Sequence, residues 1–401
     1  MKIIYLDNNA TTRVAPEVVQ AMTPYFTEEY FNPSSMYDPA RQTGHAIAAA
    51  RKSIADCLGG VDPKEILFTS CATESNNTAI LGTAHANPNR KHVITTAVEH
   101  PAVLEVCREL ERNGYKVTYL GVDRDGKLDM RELIRALSPN TLLVSIMHAN
   151  NETGVIFPIE QLSRITKQTD SSIIFHTDAT QTVGKLPIDL AHGLPYVDLL
   201  SFSGHKLHAP KGVGLLYVRN RLRYQAYVIG GGQERGRRGG TENVASIVGF
   251  GRAAELALAN LGEEDNRVRR LRDRLEDGIL ESIPGARRNG AKEPRLPNTT
   301  NLAFDGVEAE GILMLLDQAG ICASSGSACT TGSLDPSHVL TAMGCSAARA
   351  RSSIRFSLGS YNTEPEVDYV LQHLPGIIGR LRENSPLAEG NLSTPAVAQS
   401  G

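Results

Sequence analysis

Three residues of this sequence that can do covalent or acid–base chemistry stand just beyond short apolar runs. They are Lys206, Asp178 and His100. A lysine beside a buried strand is partly desolvated, which favours the uncharged, nucleophilic amine. An aspartate in such a place needs a cationic partner, because burying a lone carboxylate is costly. The plainer alternatives are a lysine that extends into solvent and a histidine that only caps a helix.

The segment Ser70–Glu74 (SCATE) follows another apolar run and opens a helix pattern. Main-chain N–H groups at the start of a helix bind anions, although a plain helix cap explains the same residues equally well. An amine, an acid, a histidine and an anion site at one edge of a sheet are difficult to explain by packing alone. Together they are the parts of a pyridoxal-phosphate site: a lysine for covalent attachment, an acid for the pyridinium nitrogen and a cradle for the phosphate.

These residues need a scaffold, and the hydrophobic pattern predicts one. Seven short runs, several of them apolar throughout, predict strands buried on both faces. Helix patterns lie between them, which indicates an α/β fold with a mostly parallel central sheet flanked by helices and a ligand site at the carboxyl ends of its strands. The predicted strands are Glu65–Thr69, His92–Thr96, Lys116–Val122, Leu142–Met147, Ser172–His176, Leu199–Ser203 and Gly214–Val218.

The alternation ends after Gly240, where two long helix patterns are followed by fewer strands. This change predicts a smaller C-terminal α+β domain. We expect residues 15–257 to form a large cofactor-binding domain, and residues 1–14 and 258–382 to form the small domain. Residues 383–401 are rich in Ser, Pro, Gly and Ala, which predicts a disordered tail.

The composition argues against several functions for this chain of 401 residues. Lys and Arg number 41 and Asp and Glu number 44, a formal charge of −3, which argues against a basic nucleic-acid binder or a polybasic membrane-surface protein. No run approaches the ~20 apolar residues of a membrane helix, and the N-terminus lacks a signal-peptide core. Six irregularly spaced cysteines are too few for a disulfide framework. We therefore expect a soluble, cytoplasmic protein with reduced thiols.

Cys329 lies in the middle of Ser324–Ser333, a stretch that contains only Ser, Gly, Ala, Cys and Thr. No side chain of this stretch can anchor it in a core, so we expect it to be mobile and Cys329 to be exposed. An exposed thiol in a reducing compartment is a candidate nucleophile. The alternative is a structural metal site with Cys322 and His338, but the spacing matches no common zinc pattern.

Two arginine-containing segments complete the candidates. Arg355 lies in the strand-like run RSSIRFS, where it is either a rim charge or a bidentate clamp for a carboxylate. Gly230–Gly240 (GGGQERGRRGG) does not fit the dinucleotide fingerprint, because no helix follows a strand-borne G-x-G-x-x-G there. This loop is either a solvated basic loop or a contact for a phosphate or another subunit.

Together these segments resemble the cysteine desulfurases, within the class V group of fold-type-I pyridoxal-phosphate enzymes. The resemblance runs from YLDNNATT (Tyr5–Thr12) to IRFSLG (Ile354–Gly359). ANNETG with FPIE, and TTGSLDPSH, are most similar to the nitrogen-fixation branch, and the housekeeping iron–sulfur-assembly branch is a near relative. Phe31 and Tyr37 stand where the family has glycine and histidine. The other motifs are SCATESNN, TAVEHPAV, HTDATQTVGK, SGHKLHAPKGVG, QERGRRGGTEN and SSGSACTTGSLDPSHVL.

The resemblance implies a cysteine desulfurase that depends on pyridoxal 5′-phosphate (PLP) and converts L-cysteine to L-alanine, leaving a persulfide on Cys329. It also implies a homodimer that supplies sulfur for iron–sulfur cluster assembly, with an iron–sulfur scaffold protein as the acceptor and nitrogenase as one destination. A PLP-dependent selenocysteine lyase or aminotransferase of the same fold is the alternative. A sulfur- or metal-carrying scaffold that uses Cys329 and has a decayed cofactor site is disfavoured, because Lys206, Asp178 and His100 are all present.

The resemblance also assigns roles to individual residues. Lys206 attaches the cofactor, Asp178 pairs with its ring nitrogen, and His100 stacks on the ring and moves protons. Arg355, with Asn151, binds the substrate carboxylate. Cys329 accepts the sulfur and is the one residue for which a transient iron–sulfur cluster is conceivable; no other metal is expected. The further implied cofactor contacts are Ala72, Thr73, Asn151, Gln181, Ser203, Gly204, His205 and Thr241 of the partner subunit.

Overall fold

The structure is a computed structural model that describes residues 3–325 and 336–383, apart from the side chains at 264 and 265. Cys329 and nearly all of the predicted tail lie outside the described residues. The strands are β1 (Ile4–Tyr5), β2 (Ile66–Thr69), β3 (His92–Thr96), β4 (Lys116–Leu120), β5 (Thr141–Ser145), β6 (Ile174–Asp178), β7 (Leu199–Ser203), β8 (Gly214–Val218), β9 (Ala286–Arg288), β10 (Thr299–Phe304), β11 (Ile321–Cys322) and β12 (Ser353–Ser357).

Helices surround these strands along the described chain. They are α1 (Pro16–Met22), α2 (Pro24–Thr27), α3 (Asp38–Cys57), α4 (Ala72–Ala86), α5 (Pro101–Arg112), α6 (Met130–Ala136), α7 (Ile159–Thr169), α8 (Gln233–Gly236), α9 (Val244–Asn260), α10 (Glu263–Ser282), α11 (Ala309–Gln318), α12 (His338–Ala342), α13 (Ala347–Arg351) and α14 (Glu364–Glu383). Within the two described ranges, no helix combines the length and apolarity needed to cross a membrane.

The central sheet has seven strands in the order β2-β8-β7-β6-β5-β3-β4. All neighbouring pairs are parallel except the two that involve β8, which runs antiparallel to both β2 and β7. This arrangement confirms the predicted mostly parallel sheet. The carboxyl ends of β2, β3, β5, β6 and β7 therefore lie along one edge, where loops can meet a ligand.

The sheet is buried on both faces, which explains its continuous apolar strands. Every residue of β2, β3, β5, β6, β7 and β8 is buried. Successive side chains of a strand point to opposite faces. In β8, Leu215 packs into the core that also holds Ile54 of α3 and Phe250 of α9, whereas Leu216 packs with Ile80 of α4 and Val103 of α5.

A smaller α+β unit follows the sheet. Strands β9, β10 and β12 form an antiparallel sheet in the order β12-β10-β9, and β1 pairs in parallel with β11. Helices α10, α11 and α14 pack around a core of their own. Ile4 and Leu6 from the N-terminus belong to this second core, whereas Leu340 of α12 packs into the core of the central sheet. The residue boundaries given above for the two domains remain a prediction.

The predicted strands match the observed ones closely, with one shift that matters for the site. The predicted strand Ser172–His176 was placed two residues too early, since β6 runs from Ile174 to Asp178. Asp178 is thus the last residue of its strand and not part of the following loop. Its main chain is held by hydrogen bonding in the sheet, which fixes the carboxylate more firmly than a loop would.

Candidate active site

Thr69, Gly214 and Ser203 stand side by side at the edge of the sheet. Gly214 pairs with Thr69 of β2 on one side and with Ser203 of β7 on the other. A side chain at Gly214 would place its Cβ 2.6 Å from Cα of Cys71, the residue that precedes α4. Glycine is therefore required here because the start of α4 lies directly against β8.

The start of α4 and the end of β7 form a cradle suited to a phosphate. Cys71 makes no side-chain hydrogen bond as the N-cap, and the first N–H groups of a helix have no partner within it. Ser203 Oγ is buried and has no hydrogen-bond partner among the described residues. An orphaned hydroxyl beside free N–H groups is what an absent anionic ligand leaves behind, so Ala72, Thr73 and Ser203 fit a cofactor phosphate.

Gly204, His205 and Lys206 form a single 3-10 turn immediately after β7. Nδ1 of His205 lies 3.1 Å from the hydroxyl of Thr11. Burial, with the nearby charge of Lys206, lowers the pKa of His205 to about 4. His205 is therefore neutral at physiological pH and can hydrogen-bond a phosphate only as a neutral ring.

Asp178 is 6% exposed, and each of its carboxylate oxygens accepts a hydrogen bond. Oδ1 accepts from the main-chain N–H of Thr180 at 2.9 Å, and Oδ2 accepts from Nδ2 of Asn76 at 2.7 Å. Asn76 is fully buried on α4, and its Oδ1 has no partner in the described part of the chain. Sequence reasoning missed Asn76, although its place within SCATESNN was the available signal.

His100 caps α5, as Pro101 after it predicted. Its Nδ1 accepts from the N–H of Ala102 at 3.1 Å, which places the proton of the neutral ring on Nε2. Burial lowers the pKa of His100, and Lys206 lowers it further, while Asp178 acts in the opposite direction. The ring is thus neutral, and its electrostatic neighbours are the predicted lysine and aspartate of the site together with His338.

Asn9 joins three of the predicted site residues, although sequence analysis did not single it out. Nζ of Lys206 donates to the main-chain oxygens of Asn9 and, at 2.6 Å, of Ala10. Nε2 of Gln181 donates to the same oxygen of Asn9 at 3.1 Å, and Nδ2 of Asn9 donates to the main-chain oxygen of Asn151 at 3.1 Å. The N-terminal segment therefore lies across the sheet edge and brings Lys206, Gln181 and Asn151 together.

Arg355 reaches the same edge from the small sheet. It is 3% exposed, its Nη1 donates to the main-chain oxygen of Asn151 at 3.1 Å, and its Nη2 pairs with Asp7 at 2.7 Å. Its Nε is buried and has no partner among the described residues. A buried guanidinium with a spare donor next to Asn151 is suited to a substrate carboxylate.

The segment that carries Cys329 starts and ends at this edge, although the cysteine itself lies outside the described residues. Before it, the main chain of Ser324 exchanges hydrogen bonds with that of Arg355 at 2.6 and 3.2 Å. After it, the hydroxyl of Ser337 donates to buried Glu152 at 2.5 Å, and Nε2 of His338 lies 2.9 Å from the main-chain oxygen of Glu99. The chain on both sides of Cys329 is thus fixed beside the site.

The remaining sequence candidates lie elsewhere on the surface. Thr241 is exposed at the end of the glycine-rich loop. Phe31 and Tyr37 contact each other edge to face at 6.1 Å, and Tyr30 stacks on Phe31 at 4.8 Å, so the two departures from the family form an aromatic cluster. Among the described residues, no three His, Cys, Asp or Glu side chains are grouped as metal ligands.

Comparison with known proteins identifies the class to which this fold and site belong. The family described as aminotransferase class-V matches residues 4–370. A cysteine desulfurase of Trichormus azollae is 54% identical over 386 residues, which are 96% of this chain and 95% of that protein. Cysteine desulfurase NifS of Azotobacter vinelandii is 53% identical over 391 residues, 98% of this chain and 96% of that protein.

A solved structure of a NifS-like protein superimposes with a TM-score of 0.89 at 41% identity, and covers 94% of this chain and 100% of that one. The chain therefore belongs to the cysteine desulfurases of the class-V aminotransferase family, whose cofactor is PLP. The predicted family, fold and cofactor are confirmed.

Proposed function

We propose that this chain converts L-cysteine to L-alanine, holds the sulfur as a persulfide on Cys329 and passes it to an iron–sulfur scaffold protein. The observation that carries this proposal is the hydrogen-bonded contact between Ser324 and Arg355, 2.6 Å at its shorter bond. The main chain that leads to Cys329 is therefore hydrogen-bonded, at Ser324, to Arg355, the residue suited to the substrate carboxylate. The similarity to the nitrogen-fixation branch favours nitrogenase among the destinations of the sulfur.

The residues that would hold the cofactor are suited to it by their positions and their hydrogen-bonding groups. Ser203, His205 and the start of α4 at Thr73 would hold the phosphate, Asp178 would face the ring nitrogen, and Lys206 would form the covalent attachment. When bound there, PLP supplies an electron sink that stabilises negative charge on the carbon next to the substrate amino group.

Side chains of the protein would bind the substrate, transfer the α-proton and accept the sulfur. Arg355 would bind the carboxylate and so orient the α-carbon toward Lys206, whose Nζ would take and return the α-proton. The thiolate of Cys329 would attack the substrate sulfur, so that a sulfur–sulfur bond forms as the carbon–sulfur bond breaks and the electron pair returns to carbon. Overall, cysteine and the Cys329 thiol become alanine and a Cys329 persulfide, which balances without an external oxidant.

Two further parts of the proposal concern the setting of the enzyme. We place it in the cytosol, where unpaired thiols persist, since the five cysteines of the described part are free. We also propose a homodimer in which Thr241 of the partner subunit completes the phosphate cradle. The exposure of Thr241 in each chain is compatible with that role.

The test compares two substrates in Cys329→Ala. Cysteine needs a thiolate to take its sulfur, whereas the sulfur of cysteine sulfinate leaves as a stable oxidised species. We expect the variant to lose alanine formation from cysteine and to keep a substantial share of it from cysteine sulfinate. Cys345→Ala, a half-buried thiol, is the matched control and should keep both activities.

Three outcomes would contradict the proposal. Equal loss on both substrates would make Cys329 a structural residue. Full activity on cysteine would place the sulfur acceptor elsewhere, with Cys322 as the next thiol to replace. Absence of sulfide and alanine from cysteine in the parent would instead reject the desulfurase activity itself.

A further inference from the structure

Glu74 places a negative charge in the first turn of α4, beside the phosphate cradle. Its side chain is only 10% exposed, and its Oε2 accepts from the main-chain N–H of Ser70 at 2.8 Å. This bond closes the turn that leads from β2 into the helix. A carboxylate at a helix start is favourable by itself, but the same charge repels a phosphate bound at that place.

Arg238 neutralises this carboxylate in a fork geometry. Its Nε donates to Oε1 of Glu74 at 2.9 Å and its Nη2 donates to Oε2 at 3.3 Å, with the arginine side chain 23% exposed. Burial alone would raise the pKa of Glu74, but the hydrogen bonds from Arg238 and Ser70 outweigh burial and the pKa is lowered. Both partners are therefore charged at neutral pH.

The loop that carries Arg238 is fixed independently of Glu74. Glu234 is buried and accepts both guanidinium arms of Arg51, at 2.6 and 2.8 Å. Glu234 and Arg235 have left-handed backbones, with φ of 47° and 63°, a strained conformation that persists only where surrounding contacts hold it. Arg235 also donates to the main-chain oxygen of Ile66 at 3.0 Å. The loop thus presents Arg238 to α4 from a rigid base.

Besides the start of α4, the phosphate cradle contains a buried hydroxyl that is suited to bind an anion. Ser203 Oγ is buried without a partner among the residues described, and Ser203 pairs with Gly214, which lies against the start of α4. The orphaned hydroxyl of Ser203 thus lies across Gly214 from the helix start that carries Glu74.

We propose that Arg238 is a positioning residue for the cofactor phosphate, because it cancels the Glu74 charge that would otherwise repel a dianion at the start of α4. Glu74 in turn fixes the Ser70 turn from which the cradle is built. This inference deepens the proposed function and rests on PLP occupying the cradle. Through Arg238, the glycine-rich loop Gly230–Gly240 would help to retain the cofactor without contacting the phosphate directly.

The test measures equilibrium binding of two probes to the full chain, PLP and pyridoxal, which lacks the phosphate. We expect Arg238→Met to weaken PLP binding about tenfold or more, since a charge-assisted pair contributes on that scale. Pyridoxal binding should stay within about twofold, because without a phosphate there is no dianion for Glu74 to repel. The double variant Glu74→Gln with Arg238→Met should recover most of the PLP affinity.

The double variant separates charge from packing. If lost contacts set the affinity, the double variant will bind PLP as weakly as Arg238→Met, and the proposal is wrong. Equal weakening for PLP and pyridoxal, or unchanged PLP binding in Arg238→Met, would also overturn it. Arg112→Met, which breaks a surface pair with Glu109 at 2.7 Å, is the control and should bind PLP like the parent.

Thermal unfolding of the cofactor-free variants shows whether each chain is folded. If Arg238→Met does not fold while the double variant does, the unpaired Glu74 charge destabilises the cofactor-free fold itself, and the proposal fails. If both fail to fold, the pair is structural and the proposal fails. Alanine formation is measured separately: a parent that binds PLP but makes no alanine rejects the proposed function and leaves the inference about Arg238 standing.

Discussion

Asn76 Nδ2 lies 2.7 Å from Asp178 Oδ2, so a fully buried amide on α4 holds the carboxylate at the end of β6. The same helix starts at the phosphate cradle, one turn before Asn76. A single rigid element therefore positions both ends of the proposed cofactor site. The amide fixes one carboxylate oxygen, and the N–H of Thr180 fixes the other at 2.9 Å.

Asn76→Leu should lower kcat about tenfold, because a hydrogen bond to a charged group contributes about 1.5–3 kcal/mol. PLP should remain bound, since the phosphate cradle is unchanged. Alanine formation and the bound cofactor per subunit are the two measurements. Asn87→Leu, at the far end of α4 where Nδ2 donates to the main-chain oxygen of Thr83 at 2.9 Å, is the control and should keep the parent kcat. A parent-like kcat in Asn76→Leu would show that Asp178 needs no support from α4.

Lys206→Ala should abolish covalent attachment of the cofactor. Lys206 lies in the turn that follows β7, among Asn9, Ala10 and the buried sheet edge. Borohydride reduction followed by peptide mass analysis locates the attached cofactor. Lys211 is an exposed lysine five residues later, and Lys211→Ala is the control. This variant should carry the label on Lys206, as the parent does. A label at any other lysine in Lys206→Ala would reassign the attachment site.

The convergence of Lys206, Asp178 and His100 could be predicted from the sequence for a simple reason. Asp178 ends β6, Lys206 lies three residues after β7 and His100 lies four residues after β3. Parallel strands bring their carboxyl ends to one edge whatever the loops do. The predicted strand stopped two residues before the end of β6, because Thr177 and Asp178 are polar although both are buried. Propensity fixes the existence of a strand better than its first residue.

Asn9 and Arg238 could not be predicted in the same way. Asn9 meets Lys206 across 197 residues of chain, through a polar segment without periodicity. Arg238 is one of several arginines in its loop, and nothing local indicates that it pairs with Glu74, 164 residues away. Such contacts are set by how the small unit and the loops fold back over the sheet, which a hydrophobic pattern does not encode.

Glu99→Gln should flatten the pH dependence of stability. Burial raises the pKa of Glu99 to about 8 in the folded chain, from a model-peptide value of 4.5. Between these two pH values the unfolded chain loses the proton and the folded chain keeps it, so the free energy of unfolding falls as pH rises through this window. Each pKa unit corresponds to about 1.4 kcal/mol. Glutamine keeps the acceptor for Thr96 and Met147 and does not titrate.

The measurement for Glu99 is denaturant unfolding at pH 5 and pH 8. The parent should lose more stability between the two than Glu99→Gln does. Glu105→Gln, whose side chain is 60% exposed, should follow the parent. Parallel curves for the parent and Glu99→Gln would mean that Glu99 is ionised in the folded chain throughout this range.

Gly214→Ala should weaken PLP binding and stability together. Its new Cβ would lie 2.6 Å from the main chain of Cys71, and backbone cannot move aside as a flexible side chain can. The start of α4 must then shift away from Ser203, which opens the cradle, so we expect PLP affinity to fall at least tenfold; overpacking of this kind costs about 1–3 kcal/mol. Gly376→Ala is the control, because a Cβ there meets nothing within 4 Å and alanine favours its helix. If Gly214→Ala binds PLP as the parent does, the phosphate is not held between α4 and β7.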